Sequence, residues 1–176
     1  MIEFLKDKNF NVKSPKGNPG LDAGIDFFCP DYNEHFAKVF AEENNGLEIQ
    51  KSLDGKYFIR IAPHSDVLIN SGYYTKFPSN VAFIAFNKSG VSRKQKLAVG
   101  ACVDDASYEG LLHLHVINTS NDYQFVYCGN KVTQFVPVLI DTSGYSVLED
   151  ATPEEFFKNH KSDRGAGGFG STSLDK

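Results

Sequence analysis

The last thirteen residues, Arg164 to Lys176, contain residue types that can bind phosphate and stack on a flat ring. The stretch Arg164-Gly-Ala-Gly-Gly-Phe169-Gly170-Ser171-Thr172 combines an arginine, four glycines, one phenylalanine and two hydroxyls. Glycine backbone can approach an oxyanion closely, and arginine offers a planar charged fork for phosphate oxygens. A phenylalanine among glycines can swing over a ring. We therefore predict a mobile tail that closes over a nucleotide, the alternative being a solvated C-terminus without a ligand.

A second unusual segment is Asp104-Asp105-Ala106-Ser107-Tyr108-Glu109-Gly110, where two adjacent carboxylates stand between apolar runs. A tyrosine follows three residues after the second carboxylate. A positioned carboxylate can act as a general base in catalysis. On these residues alone, a solvated hairpin explains the segment equally well.

Short runs rich in Val, Ile, Phe and Tyr dominate the chain and predict the strands that would position these segments. Turn residues separate them, as at Phe77-Pro78-Ser79-Asn80 and Cys128-Gly129-Asn130. In Leu112-His113-Leu114-His115-Val116 the alternation is that of a strand with one wet face. The spacing predicts an all-β barrel or sandwich. The predicted strands are Tyr57–Ile61, Asp66–Asn70, Val81–Phe86, Leu111–Asn118, Tyr123–Val126 and Val132–Leu139.

Two segments are predicted to be helical, and a third is predicted to lie on the surface. Residues 92–96 can form a turn or two, and Thr152-Pro153-Glu154-Glu155 has the cap, proline and early acids of a helix start. Residues 31–56, Asp31 to Lys56, are polar and broken by glycine-containing turns. They predict a surface insertion, as a hairpin or a short helix.

Composition limits the classes of function. The 176 residues fit one domain with a real core, and the net charge of −4 argues against sequence-independent binding to nucleic acid. Three widely spaced cysteines predict reduced thiols in an intracellular compartment. We expect a cytoplasmic protein without a membrane span, because no apolar run has the length of a signal peptide or a span.

Five motifs in a fixed order make the chain resemble the trimeric dUTPase family, the dUTP diphosphatases. They span roughly residues 22 to 173, and the fifth matches almost letter for letter. The motifs are Ala23-Gly24-Ile25-Asp26-Phe27, Lys88-Ser89-Gly90-Val91, Asp105-Ala106-Ser107-Tyr108-Glu109-Gly110, Gly129-Asn130-Lys131-Val132-Thr133-Gln134 and the segment from Arg164 to Thr172.

The resemblance implies a jelly-roll-like β-barrel over residues 1–160 and a flexible arm over residues 161–176. It implies a homotrimer with active sites at subunit interfaces, and hydrolysis of dUTP to dUMP and pyrophosphate. It also implies Mg2+ bound by the triphosphate oxygens rather than directly by the protein. Asp26 would then act near the water shell of the metal.

Asp105 is implied as the general base that activates water at the α-phosphate. Tyr108 would pack against the deoxyribose and exclude a 2′-hydroxyl, and Phe169 would stack over uracil. Arg164, Ser171 and Thr172 would hold the γ-phosphate. The substrate-binding set is completed by Lys88, Ser89, Gly90, Val103, Asp104, Gln134 and Gly170.

Uracil selectivity is implied to come from backbone groups at about residues 100–104, where a donor and acceptor pair would reject cytosine.

This chain departs from the family motifs in several places. Lys88 replaces the usual arginine, which keeps the charge but loses the bidentate fork. Ser107 replaces an acid and Thr133 an alanine. Asp104 stands where an apolar residue is usual and therefore competes with Asp105 for the role of base, although the spacing to Tyr108 favours Asp105.

Alternatives remain open at this point. A dCTP deaminase of the same fold would lack the arginine- and glycine-rich tail. A nucleotide-binding regulatory module could use residues 31–56 to contact a protein partner. His113 and His115 share a strand face and could bind a metal, but an exposed pair without a ligand is the simpler interpretation.

Overall fold

The computed structural model describes residues 1–144 and 146–159, in which β-strands dominate. The strands are β1 Glu3–Lys6, β2 Ile25–Phe28, β3 Gln50–Lys51, β4 Tyr57–Ile61, β5 Asp66–Lys76, β6 Val81–Phe86, β7 Leu97–Val99, β8 Val103–Asp104, β9 Leu111–Asn118, β10 Gln124–Tyr127 and β11 Lys131–Leu139. The helices are α1 Glu34–Glu43, α2 Ser89–Gln95 and α3 Pro153–Phe156.

The strands form three antiparallel sheets, so the prediction of an all-β fold is confirmed. Two sheets have four strands, in the orders β1-β5-β9-β7 and β2-β11-β6-β8, and the third has the order β10-β4-β3. Three of the six predicted strands have the predicted bounds. β5 extends six residues further than predicted, to Lys76. β10 is shifted by one residue at both ends, and β11 begins one residue earlier than predicted.

Aromatic rings fill the space between the two four-stranded sheets. Phe27 of β2 lies 5.2 Å, centroid to centroid, from Phe135 of β11, which lies 5.0 Å from Phe83 of β6. Phe4 of the facing sheet contacts Phe27 edge-on at 5.6 Å. Edge-to-face ring pairs of this kind add to the burial of apolar area. The sheets therefore pack face to face, and the site residues lie at their edges and ends.

Residues 31–56 contain helix α1, in keeping with the predicted short helix, and one face of this helix is buried, which the composition did not predict. Helix α1 begins at the cap Asn33, whose side chain accepts a hydrogen bond from the Phe36 amide at 2.7 Å. Phe36 and Phe40 lie one turn apart and are fully buried in the core. Asn44 then joins the end of α1 to Leu68 of β5: its side-chain nitrogen donates to the Leu68 carbonyl, and its side-chain oxygen accepts from the Leu68 amide. Two buried rings in a polar segment explain why composition suggested a surface element.

The two other helices begin close to where the sequence predicts. Helix α2 starts at Ser89, three residues earlier than predicted. Helix α3 has the predicted proline, and Thr152 and Glu155 form a capping box. Contacts divide the chain after Thr142, and α3 belongs to the second unit. The predicted division after residue 160 stays a prediction.

No helix in residues 1–144 or 146–159 has the length and apolar character needed to cross a bilayer.

Candidate active site

Four of the predicted site residues, Val103, Asp104, Asp105 and Tyr108, line one cavity of about 270 Å³. They belong to β8 and to the turn that follows it, in which the Tyr108 amide donates to the Asp105 carbonyl at 2.9 Å. The turn places the side chains of Asp105 and Tyr108 on the rim of the same cavity. The three-residue spacing seen in the sequence therefore corresponds to a tight turn.

The two adjacent aspartates have different environments. Asp104 is 6% exposed and accepts a hydrogen bond from the Thr75 hydroxyl at 2.6 Å. Burial raises the pKa of Asp104, the Thr75 hydrogen bond opposes this, and the negative charge of Asp105 adds to the rise. Asp105 is exposed to solvent. Because strand residues alternate between faces, adjacent residues at the end of β8 can differ in this way.

Tyr108 closes one side of the cavity. Its hydroxyl donates to the Leu111 carbonyl at 3.2 Å, and the ring lies so close to Gly110 that a Cβ there would be 2.2 Å from the hydroxyl oxygen. Burial raises the pKa of Tyr108, and the nearby charges of Asp104 and Glu43 contribute. Gly110 is therefore needed for this ring position, which supplies a physical reason for a glycine two residues after the tyrosine.

A second cluster gathers predicted residues from the first, second and fourth motifs. Asp26 pairs across the ladder with Gln134, whose side chain donates to the Asn87 carbonyl at 3.1 Å. One Asp26 oxygen binds the Lys88 ammonium, and the other binds Lys131 at 2.7 Å. Both carboxylate oxygens of Asp26 are thus engaged by lysines within the chain.

Electrostatics in this second cluster favour an ionised Asp26. Burial alone would raise the pKa of Asp26, but hydrogen bonds and charge from Lys131 and Lys88 outweigh it and lower the pKa. Ser89 and Gly90 follow Lys88 directly as the first residues of α2, and a Cβ at Gly90 would meet no atom within 4 Å. The cluster is cationic at its rim and open at Gly90. Lys131, which the sequence analysis quoted in a motif without giving it a role, is part of it.

The two clusters lie apart within one chain. Asp26, Gln134 and Phe86 form one row across the sheet, and Phe83 and Asp104 form another. The rows are separated along β6 by about 10 Å at the rise of a strand, and β2 and β8 are three strand spacings apart, about 14 Å. Because β6 and β8 run antiparallel, the residues after Phe86 and the residues after Asp104 continue in opposite directions. The structure therefore brings the predicted residues together in two groups.

Sequence reasoning missed the wall of the first cavity. His113 and His115 line it, and they are half-buried rather than exposed. His113 Nε2 lies 3.0 Å from Glu43 Oε1, and His115 Nε2 lies 2.8 Å from Asp66 Oδ2. The alternation of β9 located the histidines on one face, but the carboxylate partner of His113 is 70 residues away in sequence and that of His115 is 49 residues away.

The described residues contain no group of three or more His, Cys, Asp or Glu side chains placed to hold a metal ion. Asp26 is not placed to bind a metal directly, because its two carboxylate oxygens face the ammonium groups of Lys88 and Lys131. The five predicted residues of the tail, Arg164, Phe169, Gly170, Ser171 and Thr172, lie outside the described residues.

A profile of the dUTPase family matches residues 42–173 of the chain. The chain belongs to the dUTPase family. A deoxyuridine 5'-triphosphate nucleotidohydrolase of Desulfitobacterium hafniense is 34% identical over 134 residues, which cover 73% of this chain and 81% of that protein. A homologue of the same name from Haemophilus influenzae is 28% identical over 143 residues, 78% of this chain and 87% of that protein.

Solved dUTPase structures have the same fold. A mutant dUTPase of Staphylococcus bacteriophage 80alpha, solved with dUpNHpp, superposes with a TM-score of 0.67 at 18% identity over 99% of both chains. A mutant dUTPase of phage phi11 of S. aureus, described as coordinating a structural Mg(II) ion, gives a TM-score of 0.61 at 18% identity over 86% of this chain and 98% of that one. At this identity the likeness supports a dUTPase-like β fold.

Proposed function

We propose that the chain hydrolyses dUTP to dUMP and pyrophosphate, with Asp105 as the general base. The observation that carries this proposal is the pairing of exposed Asp105 with Tyr108 on one cavity, beside an Asp104 that is buried and already hydrogen-bonded. Asp105 would take a proton from a water whose oxygen attacks the α-phosphorus. The bond from that phosphorus to the bridging oxygen would break, and pyrophosphate would leave.

The first cavity would hold the nucleoside. Its volume of about 270 Å³ and its lining of apolar and polar groups suit a base and sugar better than a triphosphate. Tyr108 would pack on the deoxyribose, and the backbone at Val103 and Asp104 would contact the base. An exposed ring at the cavity rim supports this role for Tyr108.

The second cluster would hold phosphates. Lys88, Ser89, Gly90 and Gln134 offer an ammonium group, a hydroxyl, an unobstructed backbone and an amide, which are donors suited to phosphate oxygens. The tail residues Arg164, Gly170, Ser171 and Thr172 would hold the γ-phosphate, and Phe169 would cover the base.

The distance between the clusters supports a homotrimer with shared sites. Lys88 and Ser89 continue beyond Phe86 at one end of β6, and Asp105 follows Asp104 at the other, so the two groups lead away from each other within a single chain. A second subunit would bring its own cavity next to the first subunit's lysine cluster. Measuring molar mass by light scattering tests this, and a monomer active at nanomolar concentration would contradict it.

Mg2+ would enter with the substrate, held by triphosphate oxygens. Bound there, it would neutralise charge that develops on the pyrophosphate leaving group. The lysines on both sides of Asp26 fit this arrangement, since they keep that carboxylate from binding a metal directly. Asp26 would contribute by holding Lys88 in place. The cytoplasmic location and a protein partner for residues 31–56 stay predictions.

The test is release of pyrophosphate from dUTP, dTTP, dCTP and UTP in the presence of Mg2+. We expect turnover of dUTP well above the others. Asp105→Asn should reduce the rate by about 10²-fold or more while retaining nucleotide binding. Glu109→Gln, an exposed carboxylate in the same turn, is the matched control.

Two results would overturn the proposal. Ammonia release from dCTP without pyrophosphate would indicate a deaminase. Loss of activity in Asp104→Asn but not in Asp105→Asn would assign the base to Asp104 instead.

A further inference from the structure

His115 binds two consecutive backbone amides of the segment that leads into β8. Its carbonyl accepts from the Gly100 amide at 3.0 Å, and its ring Nδ1 accepts from the Ala101 amide at 2.6 Å. The first contact is a backbone hydrogen bond just beyond the end of β7, and any residue at position 115 could make it. The second depends on the side chain, and only a residue with an acceptor at this position can make it.

The ring has a defined proton position. Nδ1 can accept from an amide only when it carries no proton, so the proton lies on Nε2. Nε2 lies 2.8 Å from Asp66 Oδ2, which accepts that proton's hydrogen bond. Asp66 on β5 thus fixes the orientation and tautomer of the imidazole, and the imidazole fixes the Ala101 amide.

Gly100 allows the ring to approach this closely. A Cβ at position 100 would lie 2.2 Å from His115 Nδ1 and 2.4 Å from Cε1. No real Cβ contact is that short, so the imidazole packs directly on the glycine backbone. The close approach and the 2.6 Å hydrogen bond are two consequences of one arrangement.

On its other side the segment is held by β6. The Cys102 carbonyl accepts from the Ala85 amide at 2.7 Å, and Val103 and Asp104 pair with β6 in register. Backbone hydrogen bonds therefore fix residues 102–104. In residues 100–102 the Ala101 amide is held by a side chain.

We propose that His115 is a positioning residue that sets base selectivity by holding residues 100–104 in place. The inference rests on the proposed function, in which the backbone of this segment contacts the base. Discrimination between uracil and cytosine requires backbone donors and acceptors to be held to a few tenths of an ångström. His115 supplies that rigidity from outside the segment and does not touch the reacting atoms.

Two near-isosteric variants separate the functions of the two ring nitrogens. In His115→Asn the side-chain oxygen can replace Nδ1 as acceptor for Ala101, whereas the contact to Asp66 is lost. In His115→Gln the terminal amide can replace Nε2 as donor to Asp66, whereas the acceptor for Ala101 is lost. Asp66→Ala keeps the imidazole but removes the group that orients it, at a position whose side chain is 62% exposed.

The measurements are kcat and KM for dUTP and dCTP, with amide hydrogen exchange at Ala101. We expect His115→Gln to raise KM for dUTP about tenfold, the effect of losing one hydrogen bond. The ratio of kcat/KM for dUTP to that for dCTP should fall. The kcat of this variant should stay within about threefold, because Asp105 is untouched. The variant should also lose exchange protection at Ala101. His115→Asn and Asp66→Ala both keep an acceptor for Ala101 but lose the contact that orients it, so both should fall between wild type and His115→Gln.

Equal behaviour of His115→Asn and His115→Gln would overturn the inference, as would a wild-type Ala101 amide that exchanges as fast as a free loop. The exchange measurement needs no turnover. If the wild-type chain failed to hydrolyse dUTP, the proposed function would be wrong, and exchange would still report whether His115 holds the segment. Matched unfolding midpoints show that the variants are folded, and Asp66→Ala tests the same contact should either histidine variant fail to fold.

Discussion

The Thr75 hydroxyl of β5 donates a 2.6 Å hydrogen bond to Oδ2 of Asp104 on β8. The two strands belong to different sheets, so this contact joins the sheets beside the candidate active site. The carboxyl is buried, and burial outweighs the Thr75 hydrogen bond and the charge of His113, so its pKa is raised. Asp104 is therefore held as a hydrogen-bond acceptor in an environment that disfavours its ionised form.

Asp104→Asn should leave the protein at least as stable as wild type at pH 7. Asparagine retains an acceptor for Thr75 and removes a buried charge. Since burial raises the pKa of Asp104 in the folded state, wild type loses stability as pH rises from about 4 through that raised pKa. The advantage of the variant should therefore appear above this window and vanish below it. Urea unfolding at several pH values checks this. A variant that is less stable than wild type at pH 7 would contradict it.

Asp26→Asn should destabilise the protein by about 1–3 kcal/mol at neutral pH, because it leaves Lys88 and Lys131 without their anionic partner. The folded-state pKa of Asp26 is lowered, so its contribution is present above about pH 4 and is lost as pH falls through the lowered value. The difference from wild type should shrink only in that acidic range. Chemical unfolding measures it, with Glu109→Gln as an exposed control. A difference that stayed constant to pH 2 would exclude this origin.

Phe40→Ala in helix α1 should cost about 3–5 kcal/mol of unfolding free energy, because its ring is fully buried and would leave a cavity. Glu42→Ala, on the exposed face of the same helix, should change stability by less than about 0.5 kcal/mol.

Deletion of residues 31–56 would remove Phe36 and Phe40 together and should prevent folding. A deletion variant that folded and turned over dUTP normally would contradict the packing of this segment.

Gly129→Ala should destabilise the chain more than Gly55→Ala does. Both glycines have positive φ, +78° and +85°, so each substitution carries about 1–2 kcal/mol of left-handed strain. A Cβ at Gly129 would also lie 2.5 Å from Asp31 Oδ1, whereas one at Gly55 would meet nothing within 4 Å. Thermal unfolding of the pair isolates the contact. Equal losses would mean that Asp31 moves away without cost.

Local pattern predicted six of the eleven strands in the described residues. Alternation and turn residues located β4, β6 and β9 to the residue, because side chains on successive strand residues face opposite sides. The extension of β5 to Lys76 was missed, since Gly72 and the polar residues around it resemble a turn. That extension is stabilised by pairing with β1, whose residues lie about 70 positions earlier in the chain.

The sequence by itself determined the family, the order of the five motifs and the candidate base at Asp105, because residue types and short spacings are local properties. Only the tertiary structure decided that Asp104 is buried against Thr75, that Asp26 is bound by two lysines, and that His115 holds Ala101. It also decided that helix α1 belongs to the core. Each of these depends on contacts between residues far apart in sequence, where burial and charge follow from how strands and sheets pair rather than from neighbouring letters.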